Sequence, residues 1–127
     1  MTFTKEHLEL MKEGILLFNQ QKYWECHESL EEVWLEEPGP VRNVYWAVIQ
    51  VAAAMIHYRE RNLIGARGLL FKAKEKFKRV ENMKIENDCL NQYLSWVILK
   101  KLVFSIPDEP QLEDFKILFE FRFIEGK

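Results

Sequence analysis

The chain is sparing with the residues that staple or break a fold. Only Cys26 and Cys89 stand in 127 residues, and neither sits in a metal or redox spacing. That excludes a disulfide framework and a zinc knuckle, and both cysteines read as reduced core thiols. Five glycines and four prolines exclude collagen-like and Pro/Gly-rich low-complexity structure. Charge of one sign is also lacking: 18 Lys and Arg face 20 Asp and Glu, a net charge of −2. Total charge therefore gives no reason to expect a nucleic-acid or membrane partner. No apolar run approaches the roughly 20 residues of a membrane span, and no basic-then-apolar leader opens the sequence. The expectation is a cytoplasmic protein.

What is present is a 48% apolar fraction rich in aromatics, with nine Phe and four Trp. The length suits a single domain over 1–127, large enough for a core of its own. The periodicity is helical. Thr4 can cap a first helix reaching about Asn19, with Leu8, Met11, Ile15 and Phe18 as its buried stripe. After a polar turn, a second helix runs from about Tyr23 to Glu36. Its inward arc is Tyr23, Cys26, Leu30, Val33 and Trp34, with His27 at the edge of that arc and Trp24 and Glu31 next to it. Glu25 and Glu32 project outward, and Glu28 is intermediate. Glu37-Pro38-Gly39-Pro40 breaks this helix.

The third helix, about Val41 to Glu60, is apolar on every side, which places it at the centre of a bundle. Asn43, Gln50 and His57 interrupt it at seven-residue spacing, nearly two turns, and so lie along one line. Buried polar groups need partners, because an unpaired one costs roughly 1–3 kcal/mol. The expected partners are His27 and Glu31. Asn62 caps a fourth helix to about Val80, seamed by Ala66, Leu70, Ala73, Phe77 and Val80. Its basic stripe of Lys72, Lys76 and Arg79 reads as a solvated face rather than a nucleic-acid footprint. A fifth helix from about Cys89 to Phe104 ends at Pro107 and Pro110. The tail over 111–127 is helical or extended, and its phenylalanines should cover the bundle or a second subunit. His7 reads as an isolated surface residue. Phe18–Leu30 and Tyr58–Leu70 align at an offset of forty, which suggests two helical hairpins with shared turn chemistry. The fold class is all-α, a bundle of four to five helices built on those hairpins.

Phe18-Asn19, Tyr23-Trp24-Glu25, His27-Glu28, Leu30-Glu31 and Trp34 form one block. Arg42, Ile49-Gln50, Ala52-Ala53, His57-Tyr58, Asn62, Gly65-Ala66, Leu69-Leu70 and Lys72-Ala73 form a second. Together they resemble the bacterial and archaeal domain of unknown function 309 family, over a core of about 14–75. The resemblance implies a small all-helical fold and no activity. The family usually has Gly before the Asn62 position, where this chain has Arg61.

Three functional readings follow. In the first, His27, Glu31, Gln50 and His57 form a buried polar network between helices two and three, with Trp24, Arg42 and Asn43 beside it, inside a binding or scaffold module. In the second, a metal-dependent hydrolase, His27, Glu31 and His57 hold a single divalent metal and Glu28 acts as general base. Two known helical metal patterns are not matched. The zinc-protease motif needs a second His where Glu31 stands, and no Glu lies three residues before either histidine as a di-iron bundle requires. In the third, the hairpins, the basic stripe and exposed aromatics form a groove for a protein partner. Helix five and the Phe-rich tail are the candidate contact for such a partner or for a second copy.

Overall fold

The computed structural model describes residues 2–123, and over these residues it is all helical, with no strand. Helices α1 (Lys5–Asn19), α2 (Tyr23–Glu36), α3 (Arg42–Arg59) and α4 (Leu63–Asn82) pack in chain order, with α3 held between α2 and α4. Among the described residues no helix is long and apolar enough to cross a membrane. Residues 124–127 of the expected tail lie outside the described residues.

The helices bury the faces their periodicity dictates. Met11, Ile15 and Phe18 of α1 are buried with Gly14, and so are all five residues of the α4 seam. Eleven residues of α3 are buried, including Asn43 and Gln50, as its lack of a polar face requires. Gly14 lets α1 and α2 approach closely, since a Cβ there would lie 2.5 Å from the Leu30 side chain.

The forty-residue echo is one turn made twice. At the end of α1 the Gln21 N–H donates to the Phe18 carbonyl (2.9 Å) and the Lys22 N–H to the Leu17 carbonyl (2.9 Å). At the end of α3 the Arg61 N–H donates to the Tyr58 carbonyl (2.9 Å) and the Asn62 N–H to the His57 carbonyl (2.8 Å). Both are Schellman endings. The two turns are neighbours, because Arg59 Nη1 donates to the Gln21 carbonyl at 2.7 Å. Helices α2 and α3 are therefore antiparallel.

The expected fifth helix is two. Ser95 adopts a left-handed conformation (φ 51°) and separates α5 (Asp88–Leu94) from α6 (Trp96–Ser105). The bend lets residues on both sides reach the core, burying Leu90, Leu94, Trp96, Leu99 and Val103. That accounts for the lack of a single apolar face in the sequence. The tail forms a 3-10 turn (Leu112–Phe115), a short α7 (Lys116–Phe119) and an irregular end. Phe115, Phe121 and Phe123 are buried against the bundle, and Asn19 clasps Phe123 through its N–H (2.8 Å) and its carbonyl (3.0 Å).

His7 is not the isolated surface residue its sequence position suggests. Its ring stacks on Phe3 at 5.6 Å, its Nδ1 accepts from the Thr4 N–H at 2.9 Å, and its Nε2 faces Glu37 at 3.6 Å. The histidine thus ties the start of α1 to the α2–α3 loop.

Candidate functional site

Helix α2 presents its motif residues on the rim of the bundle. Trp24 is 58% exposed. Its indole lies parallel to the His27 imidazole, with centroids 5.8 Å apart and planes 9° apart. The spacing of three residues puts both rings on one side of the helix. One turn further, Glu31 Oε2 approaches His27 Nε2 at 3.6 Å, with side-chain exposures of 50% and 28%. The Nδ1 edge of His27 is buried and has no hydrogen-bond partner. The result is a stacked aromatic and polar patch, open to solvent at Trp24 and Glu31 and buried along the Nδ1 edge of His27. Glu31 is more exposed than the expected semi-buried position. Glu28 is exposed and makes no hydrogen bond or ion pair among the described residues.

The polar line on α3 separates into three local roles. Asn43 is buried, and its Nδ2 donates to the Pro40 carbonyl at 2.9 Å, closing the α2–α3 loop. Gln50 is buried with Oε1 unpartnered. His57 turns toward the α3–α4 hairpin, where its Nδ1 lies 3.1 Å from Asn62 Nδ2, while Asn62 Oδ1 accepts from the Gly65 N–H at 3.0 Å. Gly65 gives that imidazole its space, since a Cβ there would lie 2.5 Å from His57 Nδ1. No hydrogen bond or ion pair joins His27 or Glu31 to Gln50 or His57 among the described residues. No group of three His, Cys, Asp or Glu side chains is placed to hold a metal among those residues either, so His27, Glu31 and His57 are not assembled as a ligand set. The reason is geometric. Fourteen residues of helix separate Asn43 from His57, about 21 Å of rise, so one line on α3 meets several levels of the molecule.

A second cluster lies at the opposite end of α2 and α3. The indoles of Trp34 and Trp46 sit 5.2 Å apart. The Arg42 guanidinium lies 4.0 Å from the Trp34 ring centroid, the Lys76 ammonium 4.1 Å from that of Trp46, and the Arg79 guanidinium 5.7 Å from the same ring. Lys76 is only 5% exposed, which corrects the reading of the whole α4 stripe as solvated. Burial pulls its ammonium below the ordinary lysine value; the Arg79 and Lys72 charges push the same way, and Glu75 opposes them. The sequence carried a signal for this cluster that periodicity did not rank: Arg42 and Trp46 are four apart on α3, and Lys72, Lys76 and Arg79 recur at four and three on α4. What it did not carry was which helices would face each other.

One comparison with known proteins names a family. The profile described as domain of unknown function (DUF309) matches residues 11–69, from the middle of α1 through the first turns of α4. The chain is 32% identical over 100 residues to the uncharacterized protein YpuF of Bacillus subtilis (strain 168), across 68% of this chain and 58% of that protein. The chain thus spans less than two thirds of that relative's length. No solved structure matches it. The matched span holds the first motif block, the second as far as Leu69, both Schellman turns and the α2 patch, and with the similarity to that relative the chain belongs to the DUF309 family.

Proposed function

We propose that the protein acts by binding a protein partner, as a helical scaffold whose recognition surface is the α2 rim of Trp24, His27 and Glu31. The observation that supports this reading is the held orientation of an exposed Trp24 on His27. A large aromatic with two side-chain torsions, already stacked, loses little entropy when a partner covers it, and such residues dominate interface energetics. Val97 and Ile98 on α6 are exposed and are a separate candidate contact for a second copy. The compartment that suits this role is the cytoplasm. No specific observation favours the hydrolase reading.

The test is co-purification of the full chain with its partner from its own host, run beside Trp24→Ala. The expected result is a stoichiometric partner held by the parent chain and lost by the variant, with the helical circular dichroism of the variant unchanged. Equal retention by both chains would overturn the assignment of the surface.

A further inference from the structure

The cation–indole cluster has an imbalance that packing does not explain. Arg42, Lys76 and Arg79 bring three positive charges onto two adjoining indoles, and none of the ion pairs among the described residues involves any of them. Of the carboxylates near in sequence, Glu75 adjoins Lys76 but is exposed and forms no ion pair with it, and Glu37 is committed elsewhere: it accepts from the Tyr45 hydroxyl at 3.2 Å and the Gly39 N–H at 3.3 Å and faces His7 at 3.6 Å. Two further donors point the same way, since Trp34 Nε1 and Arg42 Nε are buried without a hydrogen-bond partner. The indole faces return only part of what is lost. A cation–π contact is weaker than the loss a buried charge suffers when it lacks a counter-charge. In a chain with an excess of acidic residues, three cations seated on two adjoining indoles, with two N–H donors that lack partners, describe a site that is complete only with an anion.

We propose that Trp34, Arg42, Trp46, Lys76 and Arg79 form a binding site for a phosphoryl dianion. Three cations suit a doubly charged oxyanion better than a carboxylate. A guanidinium, an ammonium and an indole N–H together offer donors in several directions, which a tetrahedral group with three acceptor oxygens can satisfy at once. Arg79 is exposed while Trp34, Arg42 and Trp46 are half-buried, so the cluster opens to solvent above the seated Lys76. The site is independent of the α2 rim and stands or falls without it.

The experiment is a titration of the full chain with inorganic phosphate, glycerol phosphate and acetate at one ionic strength, read by tryptophan fluorescence and by thermal midpoint. Saturable responses to both phosphates, and none to acetate, are expected. A tighter response to the ester would identify the source as a phosphorylated metabolite, and an equal response would identify free phosphate. Lys76→Met should weaken the response at least tenfold while raising the midpoint in phosphate-free buffer, because it removes an unpaired buried charge. Arg79→Gln, at an exposed position that does not threaten folding, should weaken it several-fold. A response to acetate equal to that for phosphate, no saturable response, or a response that both variants leave intact would overturn the proposal.

Discussion

Gln21 and Arg61, forty residues apart, hold the same left-handed backbone conformation, φ 60° at each, and close the same Schellman ending on two different helices. This conformation costs an L-residue about 1–2 kcal/mol relative to its ordinary regions, and glycine avoids that cost. The two positions differ in what the side chain does. Gln21 Nε2 donates to the Phe119 carbonyl at 3.0 Å and holds the tail, while Arg61 is exposed and makes no such bond.

Arg61→Gly should therefore raise stability by about 1 kcal/mol, a midpoint rise of roughly 4 °C for a chain of this size. Gln21→Gly gains the same backbone relief and loses a hydrogen bond worth about 1 kcal/mol, so it should change little. Paired thermal melts of the two variants check this, and equal gains would show that the Gln21 side chain contributes nothing.

Two glycines of α4, three residues apart, should respond to alanine with opposite signs. At Gly68 a Cβ would meet nothing within 4 Å, so Gly68→Ala should stabilise by the helix-propensity difference, about 1 kcal/mol. At Gly65 the same atom would lie 2.5 Å from His57 Nδ1 and 2.8 Å from Asn62 Nδ2, so Gly65→Ala should destabilise by about 1–3 kcal/mol. His57→Ala should remove most of that clash, and a double-mutant cycle by urea denaturation measures the coupling.

These cases show which features a reader of the sequence can find. The four main helices, their seams and the doubled turn were legible, because helical periodicity and local turn chemistry act within a few residues. The break at Ser95 was not, since nothing in Tyr-Leu-Ser-Trp forbids a continuous helix and only the packing of α5 and α6 on either side requires the bend. His7 looks isolated in the sequence because Glu37, which its Nε2 faces, joins it only in the folded chain, while Phe3, four residues away, is its local ring partner. Gln50 and Asn43 were correctly placed inside, but the partner of Asn43 proved to be a backbone carbonyl three residues away rather than a side chain on α2. Lys76 shows the same limit: a lysine among lysines looks solvated until Trp46 is brought over it by the pairing of α3 and α4.

The two thiols should behave differently. Cys26 is fully buried, and burial pushes its thiol up to about 12, while Cys89 is half-buried. A disulfide-forming reagent should modify Cys89 in the native protein and reach Cys26 only at the rate of unfolding. The same burial has a linkage consequence. Because the folded thiol holds its proton while the unfolded one loses it above about pH 9, the stability from this group is fully present below pH 9 and is lost as pH rises toward 12, at up to about 1.4 kcal/mol per pH unit. Cys26→Ala should flatten that alkaline loss, as read from urea midpoints at pH 8, 9 and 10.

Asn43 and Gln50 lie on one line of α3 and are both buried, yet replacing them should have opposite effects. Asn43 Nδ2 donates to the Pro40 carbonyl at 2.9 Å, so Asn43→Leu breaks that bond, leaves the carbonyl with only the residue-43 backbone N–H at 3.1 Å, and should cost about 1 kcal/mol. Gln50 Oε1 has no partner to strand, and Gln50→Met keeps a similar length of flexible side chain while removing a buried acceptor, so it should stabilise by about 1 kcal/mol. Urea denaturation of the two variants decides the matter. A loss for Gln50→Met as large as that for Asn43→Leu would mean that Gln50 is held by a hydrogen bond, with His27, whose buried Nδ1 is also unpartnered, as the first candidate to examine by nitrogen NMR.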